Sequence, residues 1–404
     1  MTKAFIIFTH DWPHNGGGGR GIAYRMLETL SVKFPRLDDC DMYCMFGLGL
    51  TQLRSAEDAA RLLAQPPQAW PAVHPKILGR PAKWYKQTQI IASVASQHES
   101  TVLLAHEYLF AGRLASRDRL SILQVEHSKG GVHAELLAAN HRKDMKYQFV
   151  KLLVHQAMGT ADRIVFPSQG AADLYASNNP GNDVRDKTAI VYNGVPDPLK
   201  RCEVGNSGIA DGTLTIVNVA NHVSEKSIDL AIEGTALWKE RSKANLKLRF
   251  INFGQAGSET EKLNALVTQR GLQEEVSFRG FTPRAEVLNA MAQADIFALT
   301  PQVAVFDLAL LEAMGLMKPI LSTPVGGNLE ALGTDYRCYA RNPAEFAERL
   351  EKLVTDQDFA ATVGKANRER FLERFTDQAM IDNYLALVTE TLDAVDQRTR
   401  SATA

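Results

Sequence analysis

The chain has 404 residues, 45% of them hydrophobic and 23% charged, with a formal net charge of −1, which exceeds one ordinary core and predicts two α/β domains, with disorder expected only in the tail from Arg398 to Ala404. No run is long enough to cross a bilayer, and the apolar start Ala4–Phe8 is too short for a secretory leader. Four scattered cysteines, of which only Cys40 and Cys44 lie close, read as free thiols rather than a metal centre, so a cytoplasmic protein with at most peripheral membrane contact is expected.

Charge divides unevenly. Residues 1–200 carry 23 Lys and Arg against 18 Asp and Glu, and residues 201–404 carry 22 against 28. The halves therefore differ in sign, which suggests different partners for each; no nucleic-acid partner is expected.

In chain order, Ala4–Phe8 reads as a buried parallel strand followed by a glycine-rich loop, Gly16 to Gly19 with Gly21, that feeds a helical pattern over Ile22–Leu30. The glycines can be parsed as a dinucleotide fingerprint, but Thr9 to Asn15 separate them from the strand where that fingerprint turns directly. Short apolar runs at Asp41–Phe46, Thr101–Ala105, Ser121–Val125, Arg163–Pro167 and Ala189–Tyr192 alternate with helical stretches, as in a doubly wound parallel sheet. Asp38, Asp39 and Asp41 read as a charged turn. His127 follows one of these runs at the carboxyl end of a strand, where it is either a ligand contact or a capped structural residue; His10, His106 and His133 are weaker candidates. Lys76–Lys86 and Arg142–Lys151 interleave cations with aromatics and are either solvated faces or surfaces for an anionic lipid or acidic acceptor.

A segment rich in Gly, Pro, Asp and Ser, Pro196–Thr213, predicts a linker at 201–212. A second series of strands follows at Leu214–Val219, Leu246–Phe253, Val276–Phe278, Ile296–Leu299 and Ile320–Ser322, and the remainder from Pro343 to Val395 is helical. The most informative stretch is Ala294–Gly333. There an apolar run ends at Thr300-Pro301, Phe306-Asp307-Leu308 opens a helix, and a second run ends in Gly326-Gly327 before another helix. Helix N-termini at the carboxyl ends of parallel strands favour phosphate, and Glu312 lies one turn beyond Leu308, where a carboxylate suits a pair of sugar hydroxyls. The implied ligand is a sugar nucleotide.

Phe306, Glu312-Ala313-Met314 and Lys318-Pro319 stand in the register of the nucleotide-sugar site of retaining glycosyltransferases of family 4, which the chain resembles. The resemblance implies the GT-B architecture: two Rossmann-like, doubly wound parallel-sheet domains at 1–200 (acceptor side) and 213–375 (nucleotide-sugar side), with a C-terminal helix at 376–397 crossing back to the first. It implies transfer of a sugar, with retention and without a bound metal, from a UDP- or GDP-sugar to a glycan, lipid-linked or small-molecule acceptor. By the same resemblance Gly17, Gly18 and Gly19 approach the donor diphosphate, His127 contacts the transferred sugar, Lys226 neutralises the leaving phosphate, and Phe306, Leu308 and Glu312 line the nucleotide side with Glu312 on the ribose. The chain departs from the family pattern at Asn221, where an Arg is usual, at Ala304, where a Glu is usual, and at Asp307, where a Gly is usual. Asp307 either supplies a catalytic-site carboxylate in place of the missing Glu or serves only as an N-cap. A non-catalytic partner on the same fold and a sugar-nucleotide epimerase are the alternatives.

Overall fold

The computed structural model describes residues 2–10, 18–35, 37, 39–64, 80–108, 117–140, 144–205 and 208–403. The chain divides into two compact units, Met1–Tyr192 with Asp377–Ala404, and Asn193–Thr376. Each is built on its own sheet.

The first unit contains β1 (Lys3–Thr9), β2 (Cys40–Phe46), β3 (Gly49–Leu53), β4 (Thr101–Ala105), β5 (Leu120–Val125), β6 (Arg163–Phe166) and β7 (Thr188–Ile190) in the spatial order β3-β2-β1-β4-β5-β6-β7. All neighbours are parallel except β2 and β3, a tight antiparallel pair. The expected all-parallel sheet thus gains an antiparallel edge strand that apolar runs do not reveal, because Gly49–Leu53 is buried only at Leu53 and lacks the continuous hydrophobicity of a strand buried on both faces. In contrast β1, β4 and β5 are buried almost throughout, which is why they are legible as apolar runs.

The helix expected from Ile22 begins earlier, at Gly18, so Gly18 and Gly19 form its first turn rather than a loop. The first turn tolerates glycine because its N–H groups have no intrahelical acceptor to lose. Gly16 and Gly17 lie outside the described residues, as do Asp38, Lys76 to Gly79, Arg142 and Lys143. The terminal helix runs Asp377–Thr403 within the first unit, well past the expected end at 397 and into the tail expected to be disordered. Its inner face explains the extension. Met380, Ile381, Tyr384, Val388, Leu392 and Val395 are buried, while Lys3 bridges to Asp393 and Asp396, and Arg398 donates to Ser121.

The second unit carries β8 (Thr213–Val219), β9 (Lys247–Phe253), β10 (Val276–Phe278), β11 (Ile296–Leu299) and β12 (Ile320–Ser322), all parallel, in the order β10-β9-β8-β11-β12. The described part of the expected linker, residues 201–205 and 208–212, lies with this unit, which begins at Asn193. The entering and leaving segments of the unit are joined: Val195 bridges Thr376, and Arg368 makes a two-pronged pair with Asp197 at 2.6 and 2.8 Å. In both sheets the strand order reverses at the centre, between β1 and β4 and between β8 and β11. The crevice at the carboxyl ends of such a reversal is where open α/β sheets bind ligands.

Candidate donor site and its companion cluster

In the second unit the loops leaving β8 and β11 meet at this reversal. After β8 the chain makes a single turn, Ser224–Lys226, and Ser227 takes the left-handed conformation (φ 40°), its carbonyl accepting from Thr300 Oγ1 at 2.8 Å. That contact fixes Lys226 beside the β11 loop. Lys226 Nζ lies 2.5 Å from Asp307 Oδ1, with both side chains less than one-fifth exposed. The other carboxylate oxygen accepts from Asn328 Nδ2 at 2.8 Å, and Asn328 Oδ1 in turn accepts from the Asp307 N–H at 3.2 Å. Asp307 occupies the N-cap position of the helix Leu308–Gly315, but its side chain makes no capping hydrogen bond. Both oxygens serve the Lys226–Asp307–Asn328 chain instead.

The β11 loop is also tied to the β12 loop. Gly326 has φ +46°, and a Cβ there would sit 1.9 Å from the Ala304 carbonyl oxygen, so only glycine fits. The Gly327 N–H donates to that same oxygen at 3.1 Å, and Thr323 Oγ1 donates to the Pro301 carbonyl at 2.5 Å. Ala304 is 2% exposed, so this position is a packed junction between loops.

Glu312, 7% exposed, accepts from Arg284 through Nε at 2.9 Å and Nη2 at 2.6 Å. The remaining Arg284 nitrogen, Nη1, is buried without a hydrogen-bond partner. The structure therefore places Glu312 in an ion pair whose cation has a donor still to satisfy. Phe306 is buried against Phe375, with ring centroids 5.6 Å apart, which gives it a packing role in the same unit. Asn221 is exposed and accepts from the Gln255 N–H at 2.8 Å. Leu308 is half-buried at the first position of its helix. Lys318 is buried and donates to the carbonyls of Ala292 and Ala294, which end the helix Arg284–Gln293; burial lowers its pKa to about 8.

In the first unit the ends of β4 and β5 gather a second cluster. His127 Nε2 lies 3.1 Å from His106 Nδ1, with the ring planes 14° apart, and His106 Nε2 lies 3.2 Å from Met26 Sδ. Burial drives the pKa of both imidazoles down, His127 to about 4. Glu126 is buried, is bonded by Tyr108 and by Ser128 through both its hydroxyl and its N–H, and its pKa is raised to about 7 because burial outweighs those bonds. His10 belongs to a neighbouring network with Gln87, Glu107 and the Tyr108 carbonyl. His133 packs against Tyr147 and His155, away from this cluster.

The sequence reading singled out none of Arg284, Asn328 and Glu126. A local signal exists for two of them: an Arg opening a helix after Pro283, and an Asn directly after the glycine pair that opens the helix Gly326–Leu332. Among the described residues no group of three His, Cys, Asp or Glu is placed to hold a metal ion, and no helix is long and apolar enough to cross a membrane.

Comparison with known proteins finds relatives of the second unit and of the fold. Residues 203–370 match the family Glycosyl transferases group 1. The chain is 29% identical over 136 residues to the human alpha-1,3/1,6-mannosyltransferase ALG2, covering 33% of the chain and 32% of that protein. It is 30% identical over 192 residues to a putative colanic acid biosynthesis glycosyltransferase, WcaL, of Escherichia coli, covering 44% and 45%. The chain thus spans about a third to under a half of the length of these two relatives. Among solved structures, Anabaena HepE in complex with UDP and glucose superposes with a TM-score of 0.64 at 16% identity, covering 96% of this chain and all of that one. Sucrose-phosphate synthase from Thermosynechococcus elongatus gives 0.63 at 17%, covering 98% and all. Two parallel-rich sheets with central strand reversals, matched end to end by such structures, and a second unit matched by the family model lead to one conclusion: the chain has the GT-B fold and carries a Glycosyl transferases group 1 domain.

Proposed function

We propose that the protein is a glycosyltransferase that moves a sugar, with retention of configuration, from a nucleoside-diphosphate sugar to a glycan or lipid-linked acceptor. The observation that carries this reading is that the loop and helix following β11 in the group 1 domain hold both Asp307, paired with the Lys226 ammonium from the β8 loop, and the buried carboxylate Glu312, whose partner Arg284 keeps one nitrogen without a hydrogen-bond partner. A diphosphate and a ribose supply the complementary groups, and the Anabaena neighbour was solved with UDP and glucose. In this reading Lys226 stabilises the charge that develops on the leaving phosphate, and fixed cations aimed at such charge are a large part of catalysis by this kind of site. Glu312 receives the ribose hydroxyls, its two contacts from Arg284 holding the carboxylate in place. Asp307 and Asn328 aim Lys226. In the first unit the helix start at Gly18-Gly19 suits a phosphate oxygen, and His127 contributes a hydrogen bond to a sugar hydroxyl.

The acceptor side is read from the first unit. The helix Met145–Thr160 buries Tyr147, Val154, Ala157 and Met158 and exposes Met145, Phe149 and Leu152 on another face, with the exposed Lys146 beside them. Such an amphipathic surface suits an acceptor held at an anionic membrane. A second reading, a non-catalytic binding partner, is favoured by one observation: the Lys226 ammonium already has Asp307 as counter-ion, and Asn221 supplies no further charge. Incubating the purified protein with radiolabelled UDP- and GDP-sugars, with and without polyprenyl-phosphate-linked acceptors, separates the two. Transfer or slow donor hydrolysis is expected, and its absence across the panel, with nucleotide binding intact, selects the non-catalytic reading.

A further inference from the structure

His127 stands at the end of a three-member relay whose chemistry fixes which of its nitrogens faces solvent. Met26 lies in the helix Gly18–Val32, His106 directly follows β4, and His127 follows β5 by two residues. Met26 and His106 are buried, while His127 is partly exposed. The edge of Tyr384, from the terminal helix of the same unit, packs on the His106 ring at 5.9 Å. His106 is therefore locked in orientation on both sides.

A thioether sulfur has lone pairs and no proton, so the nitrogen facing it at 3.2 Å is favourable only as an N–H donor. That places the single proton of neutral His106 on Nε2 and leaves Nδ1 bare. The bare Nδ1 faces His127 Nε2 at 3.1 Å across nearly parallel rings, a contact that needs one proton between the two nitrogens. It comes from His127. The other nitrogen of His127, Nδ1, has no hydrogen-bond partner among the described residues. Burial keeps both rings neutral near pH 7, as their lowered pKa values require.

We propose that Met26 and His106 are positioning residues that hold His127 as its Nε2–H tautomer, so that His127 presents Nδ1 as a bare acceptor for a hydroxyl group of the ligand. This inference rests on the glycosyltransferase reading only for the identity of that ligand as a sugar; the tautomer follows from the three atoms alone. An acceptor nitrogen welcomes a neutral O–H donor and repels phosphate or carboxylate oxygen. It therefore specifies which part of a sugar substrate this corner of the first unit takes: hydroxyls, not the diphosphate. The tautomer of a histidine is set by the bond made at its other nitrogen.

The test is long-range 1H–15N correlation spectroscopy on the full chain labelled at histidine. For wild type at pH 7, His106 and His127 should each show a protonated Nε2 and an unprotonated Nδ1. Met26→Leu keeps the packing volume and removes the sulfur acceptor, and it should turn the His106 and His127 patterns into tautomer mixtures. His106→Phe should do so for His127 while preserving an aromatic ring at that position. Titration with glucose, mannose or N-acetylglucosamine should move the His127 Nδ1 resonance, and inorganic phosphate should not. A His127 protonated at Nδ1, or patterns unchanged in both variants, overturns the relay, as does a response of Nδ1 to phosphate and not to sugars. Where transfer activity is measurable, His106→Phe should lower turnover about 3- to 10-fold, the loss of one hydrogen bond, with little change in nucleoside-diphosphate affinity. Failure of the glycosyltransferase reading would leave the wild-type and variant tautomer patterns as expected, so the two failures are distinguishable.

Discussion

Replacing Asp307 by Asn should tighten the binding of a bare nucleoside diphosphate. The carboxylate lies at 2.5 Å from the ammonium that the proposed phosphate needs, with 17% of the Lys226 side chain and 18% of the Asp307 side chain exposed. A phosphate arriving at Lys226 must displace this carboxylate or sit beside it, and either outcome costs binding energy. Exposed ion pairs are worth about 0.2–1 kcal/mol and breaking fully buried ones costs about 3–5 kcal/mol. A pair shielded to this degree falls between, at about 1–2 kcal/mol, which is about a 5- to 30-fold gain in affinity. Asn keeps the size of Asp and can still bond Asn328, so the loop should hold its shape. Isothermal titration with UDP and GDP on wild type, Asp307→Asn and Lys226→Met reads the effect directly. The Asp307→Asn variant should bind more tightly than wild type and the Lys226→Met variant more weakly. Equal or weaker binding by Asp307→Asn would refute the competition and return Asp307 to a direct ligand contact.

Glu312→Ala should weaken nucleoside-diphosphate binding by about 1–3 kcal/mol through lost hydrogen bonds to a charged group, measured in the same titration. Glu126, with its carboxyl raised from 4.5 to about 7 by burial, contributes stability that is fully present below about pH 4.5 and is lost as pH rises through 7. Urea unfolding at pH 5 and pH 8 should show roughly 2–3 kcal/mol lost by wild type from this group and little of that slope in Glu126→Gln, which mimics the neutral acid. Lys318→Met should destabilise the second unit by about 1–3 kcal/mol, because the carbonyls of Ala292 and Ala294 lose their buried donor; urea midpoints check it. Phe149→Asp with Leu152→Asp should reduce co-sedimentation with vesicles containing anionic lipid severalfold and leave nucleotide titrations unchanged; undiminished sedimentation would remove the membrane reading.

The sequence made the parallel strands legible because β1, β4, β5, β11 and β12 are buried nearly throughout and read as apolar runs. It hid β3, whose exposed residues carry no such mark, and it hid the length of the terminal helix, whose polar last turns are held by ion pairs from distant strands. Resemblance to a family pattern brought Lys226 and Asp307 to notice, and the strand-loop-helix pattern brought Glu312. Spacing could not reveal their counterparts. Arg284 and Asn328 matter through contacts spanning 28 and 21 residues, and no local pattern encodes which side chain closes such a distance. The same holds for His106, one of several ordinary histidines until β4 and β5 lie side by side.

The Gly326 junction bears on how this protein could be re-engineered. The segments 300–307 and 323–328 share the Ala304 carbonyl, the Thr323 hydroxyl and the Asp307–Asn328 pair, and a glycine with no room for a methyl group seals them. Grafting only residues 301–307 from a relative, to restore a Glu at position 304, would set a long charged side chain at a 2% exposed seam whose opposite wall was shaped for alanine. The smallest transplantable cassette is therefore the whole span from Thr300 to Leu332. Directed-evolution libraries that vary one loop at a time would sample mostly mismatched halves, whereas recombination with crossover points in β11 and beyond Leu332 keeps each seam with its own partner.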